Sequence, residues 1–170
     1  MIELVPLEKK FLDIVSKWNY DTDINFYFSK RPPYSYEQQL QWLEKTINDS
    51  SKKKYIIIHQ ANQKPIGLVS LMKIDLSEHK AEFGITIGEK NYWGTGVAKA
   101  ASNMLLHYAF QILHLNEIYL TVFEANSRAI QFFTNLGFIK TGVRFSNDHG
   151  NEVIEMNLLK FKFLQQHQIP

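Results

Sequence analysis

The chain contains no cysteine. That absence excludes disulfides, thiolate nucleophiles and cysteine-ligated zinc, and it makes a reduced cytoplasm the expected compartment. It also lacks any apolar run of about 18 residues, and residues 1–4 show no signal-peptide pattern, so no membrane partner is expected. Charge of one sign is scarce as well: a formal net charge of +2 is too small to imply a nucleic-acid partner. The only basic run, Lys52-Lys53-Lys54, reads as a solvated turn between a helix and a strand. Six histidines are scattered with no spacing of the His-Glu-x-x-His kind, so no metal is expected.

What is present suits one globular domain. At 170 residues, with 45% hydrophobic and 21% charged residues, the chain is long enough to bury about 70% of its unfolded surface. No repeat, low-complexity tract or linker interrupts it. A single domain over residues 1–160 is expected, with a tail at 161–170 that frays.

The chain is organised around the stretch AEFGITIGEKNYWGTGVAKAA, residues 81–101. A β-branched strand over residues 83–87 leads through a polar turn to Gly94 and Gly96, one residue apart, and then to a long helix. The first amides of a helix have no internal partner and its macrodipole is positive there, so a glycine loop at that place receives anions. Two common phosphate motifs fail on residues. A dinucleotide fingerprint needs a small residue where Lys99 stands, and Glu117 precedes its strand instead of ending it. A Walker loop needs Gly-Lys-Ser/Thr, but Gly96 is followed by Val97 and Ala98.

Around that centre, the apolar spacing predicts a first strand over residues 2–7 and a helix over 8–18 on Phe11, Ile14, Val15 and Trp18. The aromatic segment 19–34 has no clean period, and reads either as a substrate wall or as packing over a helix. Ser35 with Gln38 is a capping-box signal for a second helix, whose inner face would be Tyr36, Leu40, Leu43 and Ile47. Strands over 55–59 and 66–74 and the central strand form a meander, turning at 61–64 and at 77–79. The helix after the glycine loop would bury Val97, Ala101, Leu105, Tyr108 and Ile112, leaving Lys99, Asn103, His107 and Gln111 wet. A buried strand over 118–123 follows, reached by a crossover and so parallel to the central one. A short helix over 127–136, stopped by Gly137, and a hairpin of 138–145 with 152–159 complete the chain.

Two blocks carry a resemblance. The first is polar-x-x-Gly-x-Gly-x-Ala, formed by Asn91, Gly94, Gly96 and Ala98 after Ala-Glu-Phe-Gly. The second comprises Asn126, Ala129, Ile130, Phe132, Phe133, Leu136, Gly137 and Phe138. In this order they resemble the GNAT superfamily of acetyl-CoA-dependent N-acetyltransferases. The resemblance covers residues 2–160. Within the superfamily, the N-terminal portion, the Asn91-Tyr92-Trp93-Gly94 loop and the closing hairpin look like the branch of ribosomal-protein-alanine and spermidine acetyltransferases.

The resemblance implies an α/β (α+β) fold: a mixed, mostly antiparallel sheet of about seven strands, helices on both faces and splayed parallel central strands. It implies acetyl-CoA as cosubstrate, its pantetheine arm paired with the backbone of Gly84, Ile85, Thr86 and Ile87. The pyrophosphate would sit on the amides of Trp93, Gly94, Thr95, Gly96, Val97 and Ala98. Lys99 would add charge there or simply face solvent. Asn91 belongs to the loop motif, and Asn126 would serve the cofactor, the helix N-cap, or both.

Acetyl transfer by direct attack on the thioester needs the CoA held, an ammonium deprotonated, and the oxyanion and departing thiolate stabilised. Glu82 is the candidate base, an acid on an otherwise apolar strand. Its other reading is a solvent-facing residue in alternation with Phe83. Phe133 stands where many relatives carry a tyrosine that protonates the thiolate, so the thiolate leaves unassisted or draws on water, or on Tyr92, Tyr108 or Tyr119. The acceptor would be a primary amine, on a protein N-terminus, a polyamine or an amino sugar. Asp21, Asp23, Glu37 and Glu44 are the few acids suited to a polyamine. Dimers are common in the family. The competing reading is a silent acyl-CoA-binding module, for which Phe133 speaks.

Overall fold

The computed structural model describes residues 1–24, 35–147 and 149–167. Most of the aromatic segment, residues 25–34, lies outside the described residues, so its two readings are left there. Seven strands form one sheet in the spatial order Ile2–Pro6, Lys53–His59, Lys64–Asp75, Lys80–Ile87, Glu117–Phe123, Glu152–Leu159, Ile139–Ser146. The chain falls into two compact units, Met1–Met72 with Gly84–Leu105 and Lys73–Phe83 with Leu106–Pro170.

In the first unit, β1 (Ile2–Pro6) pairs antiparallel with β2 (Lys53–His59), and β2 antiparallel with β3 (Lys64–Asp75). The β2–β3 register shifts between Ile57 and Ile58, opposite Gly67 and Pro65, so the proline nitrogen that cannot donate sits at a bulge. Lys53 and Lys54 open β2 and do not form the expected turn. A 3-10 turn and α1 (Leu12–Tyr20) bury Phe11, Leu12, Val15 and Trp18 against Ile56 and Ile58, the 3.6-residue period expected from the sequence.

The helix α2 (Tyr36–Ile47) begins at the expected capping box. Ser35 Oγ accepts from the Gln38 amide at 3.2 Å, and Gln38 Oε1 accepts from the Ser35 amide at 2.8 Å. Its inner face differs from expectation. Leu43 and Thr46 are buried, whereas Tyr36 and Ile47 are more than half exposed. The apolar cluster beneath α2 meets it only mid-helix, at Leu40 and Leu43, so the terminal apolar residues reach past it. The unit also holds the second half of β4 (Lys80–Ile87), a 3-10 turn over Lys90–Tyr92 and most of α3 (Val97–His107).

In the second unit, β5 (Glu117–Phe123) pairs antiparallel with β7 (Glu152–Leu159), which pairs antiparallel with β6 (Ile139–Ser146). The first residues of β4 pair parallel with β5, Lys80 to Glu117 through Glu82 to Tyr119, the direction that the crossover required. β5 is not fully buried as expected. Ile118, Leu120 and Val122 point into the core, while Glu117, Tyr119 and Thr121 alternate away from it, and Asn157 Nδ2 on β7 donates to Glu117 Oε1 at 2.7 Å.

After α3 the chain makes a π-helical turn over Tyr108–Ile112, with the Leu113 amide donating to the Tyr108 carbonyl at 3.0 Å. The extra residue rotates the buried stripe onto Ala109 and Phe110 and leaves Ile112 64% exposed, which corrects its expected burial. α4 (Ser127–Asn135) starts at Asn126 and stops at Gly137, whose φ of +98° is the left-handed C′ conformation. A Cβ on Gly137 would fall 2.5 Å from the Gln166 side chain, so glycine is required for packing too.

The expected fraying tail is instead α5 (Lys160–His167) over its described part. Phe163 is fully buried against Phe110, with ring centroids 5.1 Å apart. Burying a phenyl ring contributes roughly 1.5–3 kcal/mol, enough to hold a short helix down. His107, expected on the wet face, packs edge-on against Phe163 at 4.9 Å, and burial followed by the nearby His167 lowers its pKa.

Candidate active site

The glycine loop is held at both ends. The Gly88 amide donates to the Ile66 carbonyl at 2.9 Å, and its Cα lies so close to Trp18 that an added Cβ would fall 2.1 Å from the indole. Glu89 takes a hydrogen bond from Trp18 Nε1 at 3.2 Å and an ion pair from Lys64 at 2.5 Å. Burial pushes the Glu89 carboxyl up, but these two partners outweigh it and hold it below its ordinary range. Trp93 Nε1 donates back to the Ile87 carbonyl at 2.9 Å, and Thr95 Oγ1 donates to the Tyr92 carbonyl at 2.7 Å.

Gly94 and Gly96 have φ of +76° and +87°, and nothing lies within 4 Å of where a Cβ would be. Open space over two left-handed glycines is a cradle that any side chain would fill. The ladder of α3 begins with the Ala100 amide on the Gly96 carbonyl at 3.0 Å. The amides of Val97, Ala98 and Lys99 are therefore its open first-turn donors among the described residues. The expected set narrows here. The amides of Trp93 and Thr95 are engaged inside the turn, on the carbonyls of Lys90 and Tyr92. A hollow of about 450 Å³ adjoins the loop, lined by Asn91, Thr95, Gly96 and Val97 with His59 and Tyr92. Donors without acceptors at the positive end of a helix fit a pyrophosphate. The half-buried Gly84, Ile85, Thr86 and Ile87 lead into this loop along β4.

In the second unit Glu82 is partly buried on β4, its side chain 14% exposed, and Lys73 Nζ lies 2.7 Å from its Oε2. Its register partner on β5 is Tyr119, whose phenol is pushed above its ordinary pKa by burial and then by the Glu82 carboxylate. Sequence reasoning named Glu82 and Tyr119 but missed Lys73. The signal available was that both residues flank the expected turn at 77–79, Lys73 four residues before it and Glu82 three after it.

Asn126 Oδ1 accepts from the Ala129 amide at 3.1 Å, so the side chain caps α4. Phe133 is buried with its ring edge-on to Phe83 and to Phe138, 6.2 and 5.7 Å away. Of the four acids noted for a polyamine, Asp21 and Asp23 converge on Lys90, at 3.0 and 2.5 Å, while Glu37 and Glu44 stay exposed on α2. The Lys90 hydrogen bond holds the Asp21 carboxyl below its ordinary value. A separate hollow of about 490 Å³ lies along α1 and α2, lined by Asn19, Gln38, Gln41 and Trp42, with Lys45 as its charged residue.

Residues 2–139 match the family described as acetyltransferase (GNAT) domain. The chain belongs to the GNAT acetyltransferase family. A spermidine N(1)-acetyltransferase of Vibrio cholerae is 29% identical to it over 98% of each chain. A crystal structure of spermidine N-acetyltransferase from Vibrio cholerae, in complex with CoA and spermine, superposes with a TM-score of 0.83 at 31% identity, over 96% of this chain and 98% of that one. An acetyltransferase, PseH, of Campylobacter jejuni is 30% identical over 75% of this chain and 76% of its own.

This GNAT protein is therefore an N-acetyltransferase that takes its acetyl group from acetyl-CoA and passes it to a primary amine. The silent-module reading is not favoured, and the expected fold class stands. Among the described residues no helix is long and apolar enough to cross a membrane, and no cluster of His, Asp or Glu could hold a metal ion.

Proposed function

We propose that the acceptor is a polyamine, and that the observation carrying this reading is the relationship to a spermidine N(1)-acetyltransferase along 98% of both chains. In this reading the amides of Gly94, Gly96, Val97 and Ala98 hold the pyrophosphate of acetyl-CoA, with Lys99 adding charge at the helix start. Asn91, Trp93 and Thr95 shape the loop. The backbone of Gly84, Ile85, Thr86 and Ile87 receives the pantetheine arm, with the Ile85 amide near the thioester carbonyl. Asn126 keeps its Nδ2 for the cosubstrate while Oδ1 caps α4.

Glu82 is the base. A water passes the proton of the substrate ammonium to the carboxylate, and the freed amine attacks the thioester carbonyl. The C–N bond forms, the C–S bond breaks, and the second proton lost by the nitrogen passes through water to the departing thiolate, as a thiol pKa of about 8.5 permits. The net change is one proton released for each amide and thiol formed.

The protein-N-terminus reading stays in contention on one observation: the two acids nearest to serving a polycation, Asp21 and Asp23, already share Lys90. Thiol release from acetyl-CoA, measured with spermidine, spermine, an Ala- or Ser-initiated peptide, an amino-sugar nucleotide and an aminoglycoside, tests both. Turnover with the polyamines is expected. Turnover confined to the peptide would replace the polyamine reading.

A further inference from the structure

Lys73 belongs to β3, yet its φ is +49°, a left-handed conformation that a lysine seldom adopts. The turn that follows is shaped tightly. Asp75 Oδ1 accepts from the Ser77 amide, the Ser77 hydroxyl and the Glu78 amide, at 2.9, 2.6 and 2.9 Å, and His79 is left-handed as well, with φ of +51°. The hairpin is tied to the rest of its unit by the His79 carbonyl, which accepts from the amides of Asn116 and Glu117 at 2.7 and 3.2 Å, and across its own base Lys73 Nζ lies on Glu82 Oε2 at 2.7 Å. The two partners differ in setting, since the lysine side chain is 73% exposed and the glutamate side chain 14%. A cation thus reaches in from solvent to a sheltered carboxylate.

Glu82 Oε2 is thereby occupied, and Oε1 has no partner among the described residues. One anchored oxygen and one open oxygen suits proton transfer through a water. The carboxylate cannot rotate freely, yet one lone pair stays available. The ionisable group that faces the pair is Tyr119 on β5, which in turn feels Glu117 on β5 and Glu155 on β7. Tyr119 feels both Lys73 and Glu82, and Lys73 is the cation of the set.

We propose that Lys73 is a positioning residue for acetyl transfer: its ammonium fixes Oε2 of Glu82 so that Oε1 faces the water that carries the substrate's proton. The inference rests on the reading of Glu82 as the base. It assigns a purpose to the left-handed backbone at Lys73.

The test is a double-mutant cycle on thiol release, with the amine that turns over best in the acceptor panel. Lys73→Met is expected to lower kcat about 10- to 100-fold while the KM values for acetyl-CoA and amine stay within about twofold. Lys73→Arg is expected to restore most of the rate, and Lys73→Met added to Glu82→Gln to cost nothing further. The thermal midpoint of Lys73→Met should match the parent, since the side chain is mostly in water.

If Glu82→Gln leaves kcat unchanged, the base reading fails and the inference falls with it. If Glu82→Gln slows the enzyme but Lys73→Met does not, or if the two losses multiply, only the role of Lys73 is overturned. A lower KM for the amine at unchanged kcat in Lys73→Met would likewise overturn it, showing that the lysine merely repels a cationic substrate.

Discussion

Gly88 and Trp18 are in contact so close that no side chain larger than hydrogen fits between them: a Cβ would lie 2.1 Å from the indole ring. The backbone cannot step aside, because the amides of Gly88 and Glu89 both donate to the Ile66 carbonyl, at 2.9 and 3.1 Å. Trp18 cannot yield easily either, being 97% buried by its 3% exposure and tied to Glu89 through Nε1. Gly88→Ala is therefore expected to destabilise the fold by roughly 1–3 kcal/mol or more, as overpacking does. A urea midpoint equal to that of the parent would show that the contact relaxes without cost.

Gly96 separates a binding effect from a folding effect. With φ of +87° and open space around it, Gly96→Ala should cost about 1–2 kcal/mol of stability through backbone strain alone. Gly96→Glu adds a carboxylate where the pyrophosphate is proposed to sit. Calorimetric titration with CoA is expected to show no saturable binding for Gly96→Glu and weakened binding for Gly96→Ala. Parent-like affinity in Gly96→Glu would mean that the loop does not hold the phosphates.

Phe133 offers a gain-of-function test. Phe133→Tyr places a hydroxyl on a ring already fixed by Phe83 and Phe138. If the added group reaches the departing thiolate, kcat should rise several-fold with KM unchanged. A buried hydroxyl without a partner would instead cost about 1–3 kcal/mol with no gain in rate, and that pairing of results would put the ring edge in the core.

His107 and His167, the last residue of α5, predict an acid sensitivity. Burial, then His167, holds His107 below its ordinary pKa, so the folded state binds fewer protons at this group than the unfolded state does. Stability must then fall as the pH drops through the ordinary histidine value, about 6.5, and continue falling towards the lower folded value. His167 Nδ1 donates to the Phe163 carbonyl at 2.9 Å, which ties this titration to the end of the chain. His107→Gln should flatten the pH dependence of the unfolding midpoint between about pH 7 and pH 5. An unchanged slope would show that His107 stays protonatable in the fold.

By itself the sequence determined those features whose physics is local. The Ser35–Gln38 capping box, the cap at Asn126 and the left-handed stop at Gly137 each depend on residues within one turn, and all three formed as read. The glycine loop was legible for the same reason, since its conformation follows from two residues without a Cβ and the open amides of the helix behind them. The parallel β4–β5 pairing followed from the handedness of a single crossover.

Tertiary structure decided what depends on groups meeting from distant positions. The exposure of Ile112 turns on one extra residue in a π turn, which no apolar period reveals. α5 exists because Phe163 finds Phe110 and His107, some fifty residues earlier by chain position. The same holds for charge: Asp21 and Asp23 are met by Lys90, and Glu82 by Lys73, and composition alone does not say which carboxylate a lysine will reach. Local sequence sets backbone geometry because its forces act within a turn, whereas ion pairs and buried rings are settled only when the whole chain has chosen which surfaces to bring together.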